Sequence, residues 1–251
     1  MEHPFGIDFG GTGIKGAPVD LEVGDFAHDR IRIDTPRPAT PQAVAEVFGQ
    51  IIDSFPASTR PVGVTVPGIV RRGVVHSAAN IDKSWIGEDA DAIFTAALGR
   101  EVHVVNDADA AGLAEAEYGA AKGRGGLVMV ITLGTGIGSG MIWDGQLVPN
   151  SEMGHLELDG AVAEATTATS AREREGLSWE AWSERLTAYF RHLERLFSPD
   201  LFVIGGGVSK SWDKFGHLIK VETEMVPATL QNRAGIVGAA LVAHRMAGIE
   251  D

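Results

Sequence analysis

Apolar positions recur along the chain in two alternating patterns. Short, nearly unbroken apolar runs read as buried strands: FGIDF at 5–9, PVGVTVPG at 61–68, EVHVVND at 101–107, GLVMVITLG at 126–134 and DLFVIGGG at 200–207. Helical periods lie between them. PQAVAEVFGQIIDSF at 41–55 brings Val44, Val47, Phe48, Ile51 and Ile52 to one face, and Thr40 with Pro41 is a helix start. DADAIFTAALG at 89–99 closes on Gly99, and ADAAGLAEAEYGAA spans 108–121. SWEAWSERLTAYFRHLERLF at 178–197 is a long amphipathic helix capped by Ser178, and AGIVGAALVAHRMAG at 234–248 is a helix of small residues. The stretch 16–35 contains Pro18 and Gly24, lacks a helical period, and reads as two strands joined by a turn at Glu22–Asp25. GSGMIWDGQLV at 138–148 reads as a strand pair turning at Asp144–Gly145. Residues 150–176 are polar and read as a loop, with one helical segment in AEATTATSAREREG.

Strand and helix thus alternate, which predicts an α/β fold with helices packed on sheets. Each half opens on the same device. GIDFGGTGIKG at 6–16 and VITLGTGIGSG at 130–140 are both strands that break into Gly-Thr-Gly. This predicts two similar α/β units joined by a continuous hinge near 107–110, with a ligand cleft between them.

Composition narrows the function classes. The chain has 251 residues, 44% hydrophobic and 22% charged, and no apolar stretch approaches the ~20 residues of a membrane span. Its opening residues have no secretory signal pattern. The net charge of −13 disfavours nucleic acid and anionic membranes as partners, though a local basic groove remains compatible with a polyanion. The absence of cysteine excludes disulfides and thiolate metal sites, and fits a cytoplasmic protein.

The first turn, GTGIKG at 11–16, matches G-x-G-x-x-G, but APVDLEV after it is strand-like, and a dinucleotide site needs a helix there. No Walker G-x-x-x-x-G-K-[ST] pattern occurs. A plain hairpin and a phosphate grip remain. Gly10, Gly11 and Gly13 let backbone amides converge on an anion, while Thr12 adds a hydroxyl and Lys15 a charge. Asp8, at the strand end, has the chemistry to hold a hydrated Mg²⁺. Gly134, Thr135 and Gly136 repeat the donors without the charge. Two such turns, one in each half, favour a clamp on a phosphate chain. Asn106 and Asp107 stand at a strand's C-terminal end, where ligand groups gather in α/β units. Asp107 reads equally as a helix N-cap or as a base that takes a proton from a hydroxyl; Asp109 competes but falls inside the following helix.

DFGGTGIKG, LGTGIGSG and LFVIGGGVS at 201–209 occur in the order of the two phosphate motifs and the nucleoside-side motif of the ROK sugar kinases, which the chain resembles over its whole length. VPGIVRRGVVHSAANIDKSW and NDADAAGLAEAEYGA are similar to segments of the polyphosphate glucokinases and polyphosphate/ATP glucomannokinases of actinobacteria. The resemblance implies two actin/hexokinase-like (ribonuclease H-like) domains, residues 1–107 with 235–251 and residues 108–234. It implies transfer of a terminal phosphoryl group to the 6-hydroxyl of glucose, with Mg²⁺, and a homodimer. Asp107 then becomes the base. Glu152 and His155, in SEMGHLELDG, become sugar ligands beside Asn106 and Asp107, and Glu164 and Asn80 are added to them. Without the resemblance, the same loop reads as a solvated acidic surface. The family's cysteine-rich zinc motif has no counterpart here, which leaves His155 to the sugar.

The donor is the open point. Gly205, Gly206 and Gly207 would admit an adenine, so ATP stands beside inorganic polyphosphate. A polyphosphate track would draw on Lys15, Arg71, Arg72, Lys83, Lys122, Arg124, Arg172, Arg174 and Lys210, each of which reads individually as an ordinary surface charge. Mannose is left open as a second acceptor. A phosphohydrolase of exopolyphosphatase type would leave Asn106, Glu152 and His155 without a task, and a non-catalytic sugar sensor would have no need of Asp107.

Overall fold

The computed structural model describes residues 2–78 and 81–248. In chain order its strands and α-helices are β1 (Phe5–Phe9), β2 (Gly13–Asp20), β3 (Asp25–Phe26), β4 (Ile31–Asp34), α1 (Pro41–Ile52), β5 (Val62–Val66), β6 (Val70–Arg71), β7 (Val74–Val75), α2 (Ala90–Leu98), β8 (Val102–Asn106), α3 (Asp107–Tyr118), β9 (Leu127–Leu133), β10 (Ile137–Trp143), β11 (Gln146–Val148), β12 (Glu157–Leu158), β13 (Ala161–Val162), α4 (Ala163–Thr167), α5 (Thr169–Glu175), α6 (Trp179–Phe197), β14 (Leu201–Gly205), α7 (Trp212–Phe215), β15 (Glu224–Pro227) and α8 (Ala234–Met246). They form two compact units, residues 1–114 with 233–251 and residues 115–232. The division falls within α3, whose first turns pack on α8: a Cβ on Gly238 would meet the Ala110 carbonyl oxygen at 1.9 Å.

The first unit is built on a sheet ordered β3-β2-β1-β5-β8, with β4 also paired to β2. β1, β5 and β8 run parallel; β2 is antiparallel to β1. One face carries the core. Phe5, Ile7 and Phe9 of β1 pack there with Val44, Phe48 and Ile51 of α1 and Phe94 of α2. α1 starts where Thr40 Oγ1 accepts the Ala43 amide at 3.3 Å, with Pro41 behind it. α2 is capped by Asp89 and ends at Gly99 in the left-handed region, φ 62°. The other face takes α8, a helix of small residues. It lies so close that a Cβ on Gly6 would stand 1.9 Å from the Ile236 carbonyl oxygen, and one on Gly63 would stand 1.7 Å from that of Ala239.

The second unit has a sheet ordered β11-β10-β9-β14-β15, with β9, β14 and β15 parallel and β10 antiparallel to β9. Its core gathers Met129, Ile131 and Leu133 of β9 with Trp182, Leu186 and Phe190 of α6 and Phe202 of β14. Ser178 Oγ accepts the Ala181 amide at 3.2 Å and starts α6. Both units therefore open on the expected device, an antiparallel strand pair around Gly-Thr-Gly. The polar stretch 150–176 is more ordered than its composition predicts. It holds the β12–β13 pair and two helices, α4 and α5, rather than one helical segment, because Ala168 has extended ψ (161°) and separates them.

The close approach of α8 predicts opposite effects for two glycine-to-alanine changes. Gly63→Ala forces backbone apart and lowers stability by at least about 2 kcal/mol. Gly49→Ala, in the interior of α1 and 4.0 Å from its nearest neighbour Leu98, raises it by about 0.5–1 kcal/mol. Urea unfolding of the two variants separates them; a stable Gly63→Ala protein contradicts the packing described.

Candidate active site

The first glycine turn joins β1 to β2. The Gly10 amide donates to the Gly13 carbonyl at 3.2 Å and closes it. The Gly10 and Thr12 carbonyls are tied from outside. Thr35 Oγ1 donates to the Gly10 oxygen at 2.5 Å, and the Thr35 amide and an Arg32 nitrogen donate to the Thr12 oxygen at 3.5 and 3.1 Å. The Gly11 and Thr12 side of the turn is exposed. Asp8, beneath it, is half-buried. Its carboxylate accepts from Lys15 Nζ at 3.1 Å and from Thr65 Oγ1 at 3.2 Å.

The second turn joins β9 to β10 and is tied in the same manner. The Gly134 amide donates to the Gly136 carbonyl at 3.0 Å; the Ser170 amide donates to the Gly134 oxygen at 3.1 Å and Ser170 Oγ to the Thr135 oxygen at 2.6 Å. Thr135 is exposed. Carbonyl oxygens repel phosphate and amides attract it, so holding the carbonyls fixes which side of each turn an anion meets. Gly205 pairs with Thr132, and a Cβ on Gly206 would lie 2.2 Å from the Leu133 carbonyl oxygen. The third glycine cluster therefore sits beside the second turn. Lys210, in the short helix that follows, is exposed.

At the end of β8, Asn106 and Asp107 divide two tasks. Asn106 is the helix cap: its Oδ1 accepts the Ala108 and Asp109 amides at 2.8 and 3.0 Å, and its Nδ2 donates to the Gly68 carbonyl at 3.1 Å. Asn106 is buried by this work. Asp107 begins α3, is exposed, and accepts the Ala108 amide at 2.9 Å. Asp109 is buried inside α3, so the exposed carboxylate of the pair is Asp107.

Glu152, His155 and Glu164 converge within the second unit. His155 Nδ1 is 3.6 Å from Glu152 and its Nε2 is 3.6 Å from Glu164. The loop that carries Glu152 is stapled to β10: Ser139 Oγ accepts the Met153 amide at 3.0 Å, and Ser151 Oγ donates to the Ser139 carbonyl at 3.0 Å. Glu164, at the start of α4, reaches back to the second turn and accepts the Ile137 amide at 3.2 Å. A Cβ on Gly136 would be 2.5 Å from that carboxylate. Burial raises the Glu152 carboxyl above the usual carboxylate range; His155 opposes the rise and Glu164 adds to it. Asn80 lies outside the described residues.

Of the basic residues proposed for a donor track, four have local partners among the described residues; Lys15 pairs with Asp8 at 3.1 Å. Arg172 stacks on Trp179 at 3.6 Å from the ring centroid, Arg174 donates to the Ala165 carbonyl at 2.8 Å, and Arg124 pairs with Glu224. The residues that hold the turns, Thr35, Arg32 and Ser170, escape a reading of motifs. They lie outside every glycine motif, and only strand register and the α4–α5 break bring them there.

A model of the ROK family matches residues 4–176. A polyphosphate glucokinase of Mycobacterium tuberculosis is 50% identical over 242 residues, 96% of this chain and 91% of that one. The crystal structure of an inorganic polyphosphate/ATP-glucomannokinase from Arthrobacter sp. strain KM superimposes with a TM-score of 0.92 at 56% identity, covering 97% of this chain and 99% of that one. A ROK family glucokinase from Streptomyces griseus, solved with glucose and AMPPNP, gives 0.82 at 26% identity, covering 96% and 99%.

The Glu152 cluster has a direct test in NMR titration. Glu152 is expected to titrate above an ordinary glutamate. Glu164→Gln, which removes a like charge, lowers its midpoint, and His155→Gln raises it. Shifts of the same sign in the two variants contradict the geometry.

Proposed function

The chain belongs to the ROK family, and from that premise we propose that it is a polyphosphate glucokinase. It transfers the terminal phosphoryl group of inorganic polyphosphate to the 6-hydroxyl of glucose. The observation that carries the reading is the division of labour at the end of β8: Asn106 caps α3 and Asp107 stands exposed. With Asn106 as the cap, the Asp107 carboxylate is not required for capping and is available to act as a base.

Asp107 accepts the proton of the 6-hydroxyl as its oxygen forms a bond to the terminal phosphorus. The bond from that phosphorus to the bridging oxygen breaks, and the shortened chain leaves with the electron pair. Phosphoryl transfer asks mainly for positioning and charge neutralisation. The amides of Gly10–Gly13 and Gly134–Gly136, with the hydroxyls of Thr12 and Thr135, receive the donor phosphates. Glu152, His155 and Glu164 take the sugar hydroxyls, for which paired acceptors and a donor are suited. Asn106 orients Asp107 through the cap. Asp8 is the residue that would hold Mg²⁺: the ion commonly takes one or two protein carboxylates with waters and substrate phosphates, and Asp8 fits that donor set. When bound, Mg²⁺ neutralises charge on the donor.

ATP is proposed as a second donor because Gly205–Gly207 stand beside the second turn. A homodimer and a cytoplasmic location belong to the same proposal on family grounds. Among the described residues no helix is long and apolar enough to cross a membrane.

Asp107→Asn keeps the shape and deletes the base. It is expected to lower kcat by about a hundredfold or more, with glucose affinity by calorimetry within about twofold of the parent protein. Turnover near the parent value removes Asp107 from the reaction. Assayed with glucose and Mg²⁺, the parent protein is expected to give a higher kcat/KM with long-chain polyphosphate than with ATP; the reverse makes it an ATP glucokinase.

A further inference from the structure

Strand register in the first unit places four polar residues in one row. Thr65 of β5 is opposite Asp8 of β1, Asp8 is opposite Lys15 of β2, and Lys15 is opposite Arg32 of β4. Residues paired this way share a face. Their neighbours along the strands, Ile7, Ile14, Ile31 and Ile33, pack into or against the core on the opposite face. Arg32 and Lys15 are therefore like charges set side by side, an arrangement that costs stability when nothing else occupies it. Each has an acid nearby: Asp8 for Lys15 at 3.1 Å, and Asp34 for Arg32 at 2.6 Å. The Arg32 pair is open to solvent, with its side chains 50% and 83% exposed, and exposed pairs hold weakly.

The guanidinium is also fixed against the first turn. One of its nitrogens donates to the Thr12 carbonyl at 3.1 Å, and a Cβ on Gly13 would meet three of its atoms at 2.7–2.8 Å. Gly13 is thus the space in which Arg32 lies. A guanidinium has five donors, and those not committed to Thr12 and Asp34 form part of a fork suited to phosphate oxygens. The same residue cancels the negative end of a carbonyl and brings a cation to the edge of the turn.

We propose that Arg32, with Lys15 beside it, is a subsite for a second phosphate of a condensed-phosphate donor, adjacent to the phosphate held by the turn amides. The inference rests on the polyphosphate reading above. Asp34 is its competitor: in the unliganded protein it occupies Arg32, and an incoming phosphate displaces it.

The competition gives two variants with opposite signs. Arg32→Gln keeps a donor for the Thr12 carbonyl and loses the charge. It is expected to raise the KM for long-chain polyphosphate about tenfold, with the glucose KM within about twofold of the parent, and Arg32→Lys is expected to recover part of the loss. Asp34→Asn releases Arg32 and is expected to lower the polyphosphate KM about two- to fivefold. Binding of tripolyphosphate without glucose, followed by calorimetry, should move the same way. An unchanged polyphosphate KM in Arg32→Gln, or losses in both variants as a purely structural role would give, overturns the subsite. Absence of polyphosphate-dependent glucose phosphorylation in the parent protein would instead overturn the functional reading beneath it.

Discussion

The arrangement of this protein depends on hydrogen bonds that fix the carbonyl oxygens of two glycine turns. In each glycine turn one amide closes the loop on itself, and a hydroxyl from another element fixes a carbonyl: Thr35 on Gly10, and Ser170 on Thr135. A glycine-rich turn without such ties has many accessible conformations and presents amides and carbonyls alike. With the ties, the polarity of the turn is set before any phosphate arrives. That is preorganisation in the sense that matters for phosphoryl transfer, since the donors need no rearrangement when charge develops.

Supporting structure in each unit serves this constraint. In the first, α8 must lie close enough on β1 and β5 that Gly6 and Gly63 have no room for side chains, and its Gly235 then borders Asp8. In the second, α4 carries Glu164 to the amide after the turn, and the next residues place Ser170 on its carbonyls. The Glu152–His155–Glu164 cluster and the second glycine turn are thus parts of one connected piece. A change in the α4–α5 segment is felt by both, which explains why a stretch that looks like a polar loop adopts a defined form.

The alternation of strands and helices, the helix starts at Thr40 and Ser178, and the paired Gly-Thr-Gly turns were all legible from periodicity and local chemistry. These features depend on neighbours in sequence. Glu152, His155 and Glu164 were legible only as a family pattern; their convergence on His155 depends on the staple between Ser139, Ser151 and Met153. The residues alone leave Asp107 equally readable as a cap or a base, because a carboxylate and a carboxamide are equally good caps on paper; in the fold Asn106 caps α3, held there by the Gly68 carbonyl, far away in sequence. Arg32, Thr35 and Ser170 carried no signal at all, because their function comes from register and from a helix break at Ala168, not from spacing.

The central claim of the proposed function is that each turn is built to receive donor phosphate on its amide side. The most direct test is amide chemical-shift perturbation by tripolyphosphate in the absence of glucose. The largest shifts are expected at Gly11–Gly13 and at Thr135–Gly136 together, with the same apparent affinity. Perturbation of one turn alone, or of neither, would contradict the account.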